Sequence, residues 1–74
     1  MSTHSFGERL SAVRMKRGWS QRELSRRADV SHVLIAELES GKRRDIRTNT
    51  AKQLALALGV SIDYLVGTWD DFEP

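Results

Sequence analysis

Residues 18–41 read GWSQRELSRRADVSHVLIAELESG, and the fold turns on how this stretch is punctuated. Ser20-Gln21-Arg22-Glu23 has the form of a capping box, a hydroxyl that can accept from the amide three residues on and an acid that can reach back. Trp19 just before it and Leu24 just after it supply a hydrophobic staple that sets the direction in which the chain enters the helix. That helix is predicted to end near Ala28. Ser31 then caps a second segment, with Ile35 and Leu38 facing inward and Gly41 stopping it. Only Asp29 and Val30 lie between the two, and so short a link predicts helices that cross steeply instead of lying side by side. The corner residue is expected to take a left-handed backbone conformation, easiest for Gly but tolerated by Asp. Ser25 falls where the helices approach most closely, where a small side chain is needed; Leu24, Ala28, Val30, Ile35 and Leu38 supply the apolar contacts.

The same punctuation recurs on either side. Ser5-Phe6-Gly7-Glu8 fits another capping box, and Phe6, Leu10 and Val13 follow at helical spacing until Gly18. A fourth helix is predicted to begin near Thr48, to bury Ala51, Leu54, Ala55 and Leu58, and to close at Gly59. Ser61 caps a short fifth helix carrying Ile62, Leu65 and Val66, and Gly67 ends it. The single Pro is the last residue, strand-like alternation is sparse, and there are no repeats. The reading is an all-α, compact five-helix domain over residues 5–67. Residues 1–4 are expected to form a flexible N-terminus and residues 68–74 a loose acidic tail.

Seventy-four residues allow one small domain. Without Cys there are no disulfides and no thiolate metal sites, so an intracellular, cytoplasmic protein is expected. Glu8, Arg9, Arg14, Lys16 and Arg17 interrupt the first twenty residues, which excludes an apolar signal segment, and no later apolar run could span a bilayer. An enzyme has little behind it: His4 and His32 are far apart, and no nucleophile elbow, phosphate loop or carboxylate–histidine cluster is present. No cofactor and no metal are expected. Charge is more telling. The chain has 12 Lys and Arg against 10 Asp and Glu, but Asp70, Asp71 and Glu73 sit in the tail, leaving 12 against 7 in residues 1–67. Lys42, Arg43, Arg44 and Arg47 place four cations in six positions, which repel one another unless an anion is near. This is the footprint of a protein that binds nucleic acid or another anionic surface.

Residues 20–41 resemble the helix-turn-helix of the lambda-repressor/Cro-like family, also called the XRE family. Gly18-Trp19-Ser20-Gln21-Arg22-Glu23-Leu24 is similar to its opening motif at helix two. Leu38-Glu39-Ser40-Gly41-Lys42 is similar to its helix-three ending, and Ala57-Leu58-Gly59-Val60-Ser61 to its helix-four ending. Three motifs in order, over roughly residues 5–67, are far more specific than one two-helix pattern. Asp29 stands where the family usually has a turn glycine, Trp19 where it has a leucine-like residue, and the Gly41–Thr48 loop is slightly longer and lacks the frequent proline. The resemblance implies a sequence-specific, double-stranded DNA-binding transcriptional regulator, read as a repressor. That it acts as a homodimer is expected from the small core, which a second subunit would complete, and from an apolar set near the C-terminus.

Projecting the third helix at ~100° per residue, with Ile35 at the centre of its buried face, turns His32, Val33, Ala36 and Glu37 outward. A helix fits the major groove, so these four are the candidate base readers. The resemblance independently implies His32, Val33 and Glu37. His32 can donate to a guanine acceptor, Val33 can pack on a thymine methyl, and Glu37 can accept from a cytosine amine. Candidate phosphate contacts are Gln21 at the start of helix two, Ser31, Ser40, and the cations Lys42, Arg43, Arg44 and Arg47. Arg26 and Arg27 are expected to face solvent. The resemblance also implies a partly buried Arg14–Glu39 pair, which is read as packing and left out of the site. Ile62, Tyr64, Leu65, Val66 and Trp69 form an apolar set rich enough to suggest a dimer interface through Ile62, Tyr64, Leu65 and Trp69. The alternative is a protein-interaction module or antitoxin of the same fold, with Trp69, Phe72 and the acidic tail as its contact.

Overall fold

The computed structural model describes residues 6–43 and 45–66, so the Ser5 cap, Gly67, Arg44 and the tail with Trp69 lie outside the described residues. Among the described residues there are five helices: α1 (Phe6–Lys16), α2 (Gln21–Ala28), α3 (His32–Ser40), α4 (Thr48–Leu58) and α5 (Ile62–Val66). The described residues contain no strand. None of these helices is long and apolar enough to cross a membrane.

Ser20 caps α2 by accepting from the Glu23 amide at 3.0 Å, half of the expected box. The other half is not made, because Glu23 turns outward to Arg26 and Arg27. The Arg27 hydrogen bond, with Arg26 adding to it, holds the Glu23 carboxyl below its usual range. Asp29 takes φ 56° and ψ 47°, the left-handed corner expected of the α2–α3 link. Its N–H caps α2 on the Ser25 carbonyl. The Ser25 hydroxyl donates to Val30 O across the corner, which a larger side chain would prevent. Replacing Asp29 by Gly removes the cost of a side chain in this conformation, about 1–2 kcal/mol for an ordinary residue and less for Asp. Asp29→Gly should therefore melt a few degrees above the parent and Asp29→Ala below it, as read by circular dichroism.

Leu10, Leu24, Ile35, Leu38, Leu54, Leu58 and Leu65 are almost completely buried, with Val13, Ala28, Val30, Ala51 and Ala55 around them. Burying each of the seven large side chains is worth about 1.5–3 kcal/mol. α1 packs on α3 and α5, α2 on α3 and α4, and α4 on α5, so α3 is clasped from two sides. Two side-chain contacts supplement the core here. Arg17 donates from Nε and Nη2 to Leu58 O at 3.0 and 2.7 Å, placing a cation at the carbonyl end of α4. Trp19 packs partly buried against the core while the Arg27 guanidinium lies 4.4 Å from its ring centre. Arg27 is thus more than a solvated charge.

Leu65 departs from its expected place at a dimer interface. It is fully buried in the core, facing inward from α5, and offers no surface to a second subunit. Ile62 is partly buried against the same core, while Tyr64 is 54% exposed.

Candidate nucleic-acid interface

The site is built on α3. Ser31 accepts from the Val33 and Leu34 amides and so fixes where the helix begins. Ile35 and Leu38 are buried, which leaves the opposite face to solvent. On that face Val33 is 54% exposed, and His32, Ala36 and Glu37 are each partly exposed. The outer side of α3 is therefore not walled off by the described residues of the chain.

The segment after α3 is anchored at three points. Gly41 takes a left-handed φ of 82°, the Arg43 amide donates to Glu37 O at 3.1 Å, and Ile46 packs partly buried on the core. Lys42, Arg43, Asp45 and Arg47 are exposed along it. Arg47 precedes α4, and its side chain, which has no acceptor, makes no cap to the helix start. Arg43 is engaged through one side-chain nitrogen: its Nε donates to Glu37 Oε1 at 3.1 Å.

Two of the candidate phosphate donors look different in place. The Ser40 hydroxyl gives its one proton to Glu37 O at 3.1 Å and accepts from the Lys42 amide, so it closes the helix end and has no donor left for a phosphate. Gln21 is half-buried, and its Nε2 donates to Glu39 Oε1 at 3.0 Å. Glu39 also receives a two-pronged bond from Arg14, Nε to Oε2 at 2.7 Å and Nη2 to Oε1 at 2.9 Å. Arg14 Nη1 reaches Trp19 O at 2.7 Å. With side chains only 13% and 7% exposed, Arg14 and Glu39 tie α1, the α1–α2 link and the end of α3 together and hold the Gln21 amide at the start of α2. An amide nitrogen has two protons, so Gln21 keeps one for another acceptor. The Gln21–Glu39 bond lies beyond the reach of sequence patterns, since residues 18 apart carry no local signal for it.

α3 links these pieces: its own surface supplies the exposed face, Glu39 holds the Gln21 amide at the start of α2, and Glu37 pairs with Arg43 just beyond the helix end. The sequence profile of the helix-turn-helix family matches residues 10–65, which is 56 of the 74 residues and includes all of α2, α3 and α4.

Proposed function

The chain belongs to the lambda-repressor/Cro-like helix-turn-helix family of DNA-binding regulators, and from that premise we propose that it is a sequence-specific repressor that reads the major groove with α3. One observation carries this: an α3 whose outer face, with Val33 at its most exposed point, is open to solvent, followed along the chain by the exposed cations Lys42 and Arg47. An ordinary helix fits the major groove of B-DNA, and exposed cations beside it can neutralise the flanking phosphates. Val33 then meets a thymine methyl, His32 and Glu37 meet polar base edges, and Ala36 allows close approach. Gln21, Ser31, Lys42 and Arg47 grip the backbone, and Arg44 is proposed with them on its sequence position alone. Repression needs nothing beyond occupancy of the bound site.

Binding as a homodimer belongs to the same reading. Tyr64 is its main support, exposed on α5 beside a shallow groove lined by Val13, Lys16, Arg17, Val60 and Ser61. Selection of bound fragments from a pool of random duplexes, with sedimentation to count subunits, tests both parts. The expected product is a two-fold site with half-sites about one helical turn, or 10–10.5 base pairs, apart. A pool that shows no enrichment after repeated selection would remove the reading.

Anchors and readers should separate. Gln21→Ala is expected to weaken binding to every duplex about equally and to leave the selected consensus unchanged. Lys42→Ala or Arg47→Ala should reduce the slope of log K against log salt by about 0.9 for each phosphate that is no longer neutralised. A consensus that shifts in Gln21→Ala would show that this residue reads bases.

A further inference from the structure

Glu37 is the only acid on the outer face of α3, and a lone carboxylate entering a groove lined by phosphates would be repelled. It does not enter alone. Arg43 Nε donates to its Oε1 at 3.1 Å, and the Arg43 amide donates to the Glu37 carbonyl at the same distance. Two bonds, one from the backbone and one from the side chain, bring Arg43 round to the last turn of α3. Neither side chain is buried by the contact, with 48% of Arg43 and 29% of Glu37 exposed. Both therefore keep unused hydrogen-bonding groups: Oε2 on Glu37, and the Nη1 and Nη2 amines on Arg43.

Resting on the DNA-binding reading above, we propose that Glu37 and Arg43 act as one unit that reads a single cytosine–guanine pair. Across the major groove a cytosine–guanine pair presents, in order, the cytosine N4 donor, then the guanine O6 and N7 acceptors. The coupled side chains present the complement in order, one acceptor from the carboxylate followed by two donors from the guanidinium. A thymine–adenine pair presents acceptor, donor, acceptor and matches this pattern nowhere in full. Reversing the pair to guanine–cytosine sets the guanidinium against the cytosine amine. The contact is thus selective for identity and for orientation, and it has no net charge to be repelled. Arg43 moves from the group of phosphate anchors to that of specificity residues.

The test uses the full chain and a library of duplexes with a random core, followed by every single-pair replacement in the selected site. The parent is expected to require cytosine–guanine at one position in each half-site. Glu37→Ala and Arg43→Ala should each lower discrimination at that position by about tenfold, within the range for one good side-chain–base contact. The double variant should be little worse than either single one, because each change already breaks the unit. Arg43→Lys, which keeps the charge and loses the planar fork, should behave like Arg43→Ala. The pairing is overturned if Arg43→Ala weakens all duplexes alike with a shallower salt slope while the consensus stands, or if no position prefers cytosine–guanine. If the parent enriches no sequence at all, the DNA-binding reading falls and takes this inference with it. Far-UV spectra of all variants check that each is folded.

Discussion

Gly7→Ala is expected to lower the thermal midpoint by more than about 10 °C, or to prevent folding, although it adds only a methyl group. By helix propensity alone the change is favourable, by about 0.8–1 kcal/mol. Packing reverses the sign. A Cβ on Gly7 would stand 2.0 Å from Leu38 O, 3.0 Å from Leu38 C and 3.2 Å from Glu39 Cα. All three are backbone atoms of α3, so no side-chain rotation can relieve the overlap; α1 and α3 would have to move apart. Overpacking a core costs about 1–3 kcal/mol when side chains can shift, and more when they cannot. A net loss near 3 kcal/mol corresponds to a midpoint lower by ~12–24 °C in a domain of this size. Circular dichroism melting checks it, and a variant that melts with the parent would show that α1 and α3 are not in such close contact. DNA affinity should fall along with folded fraction, since the displaced element is the one that carries the candidate base readers.

Gly7 also marks the boundary of what the sequence makes legible. Caps, stops and apolar spacing are local, encoded within a few residues, and the five helices follow from them, as does the left-handed corner at Asp29. A glycine three residues before Leu10, hence on the same helical face, is a visible hint of close approach, but it reads equally well as part of a cap. Contacts between distant residues leave no such mark. Nothing near Arg17 in sequence points to Leu58, 41 positions away, or near Gln21 to Glu39. The outward set on α3 is legible because a helix with a well-defined apolar face specifies its opposite. Leu65 escapes sequence reading for a related reason: a five-residue helix is too short for its spacing to tell an inward leucine from an outward one, and only packing against α1 and α4 decides. Ser40 is misleading as a phosphate donor because a hydroxyl near a helix end serves the backbone first.

The second large effect concerns Arg14 and Glu39. Arg14→Ala should cost about 3–5 kcal/mol, because it strands a carboxylate that is only 7% exposed. Arg26→Ala, which removes an ion pair from a side chain 71% exposed, should change stability far less, because solvent screens an exposed pair. The hydrogen bond to Glu39 raises the Arg14 pKa above its already high ordinary value, against the opposing effect of burial. A cation whose pKa is raised on folding contributes fully below its unfolded pKa, and that contribution is lost only as pH rises through the folded one. The Arg14 contribution should therefore persist across the neutral range and fade in strong alkali. Removing both charges is a different experiment from removing one. Arg14→Met with Glu39→Leu leaves no buried ion unpaired, and such replacements are often neutral or stabilising. The double variant should be more stable than either Arg14→Ala or Glu39→Ala. Its DNA affinity should not recover in step, because the Gln21 amide no longer has the oxygen that holds it at the start of α2. A double variant with restored melting and parental affinity would show that Glu39 serves the fold alone. Restored melting, with binding weakened equally on every duplex, would tie the Arg14–Glu39 pair to the anchoring of the phosphate backbone.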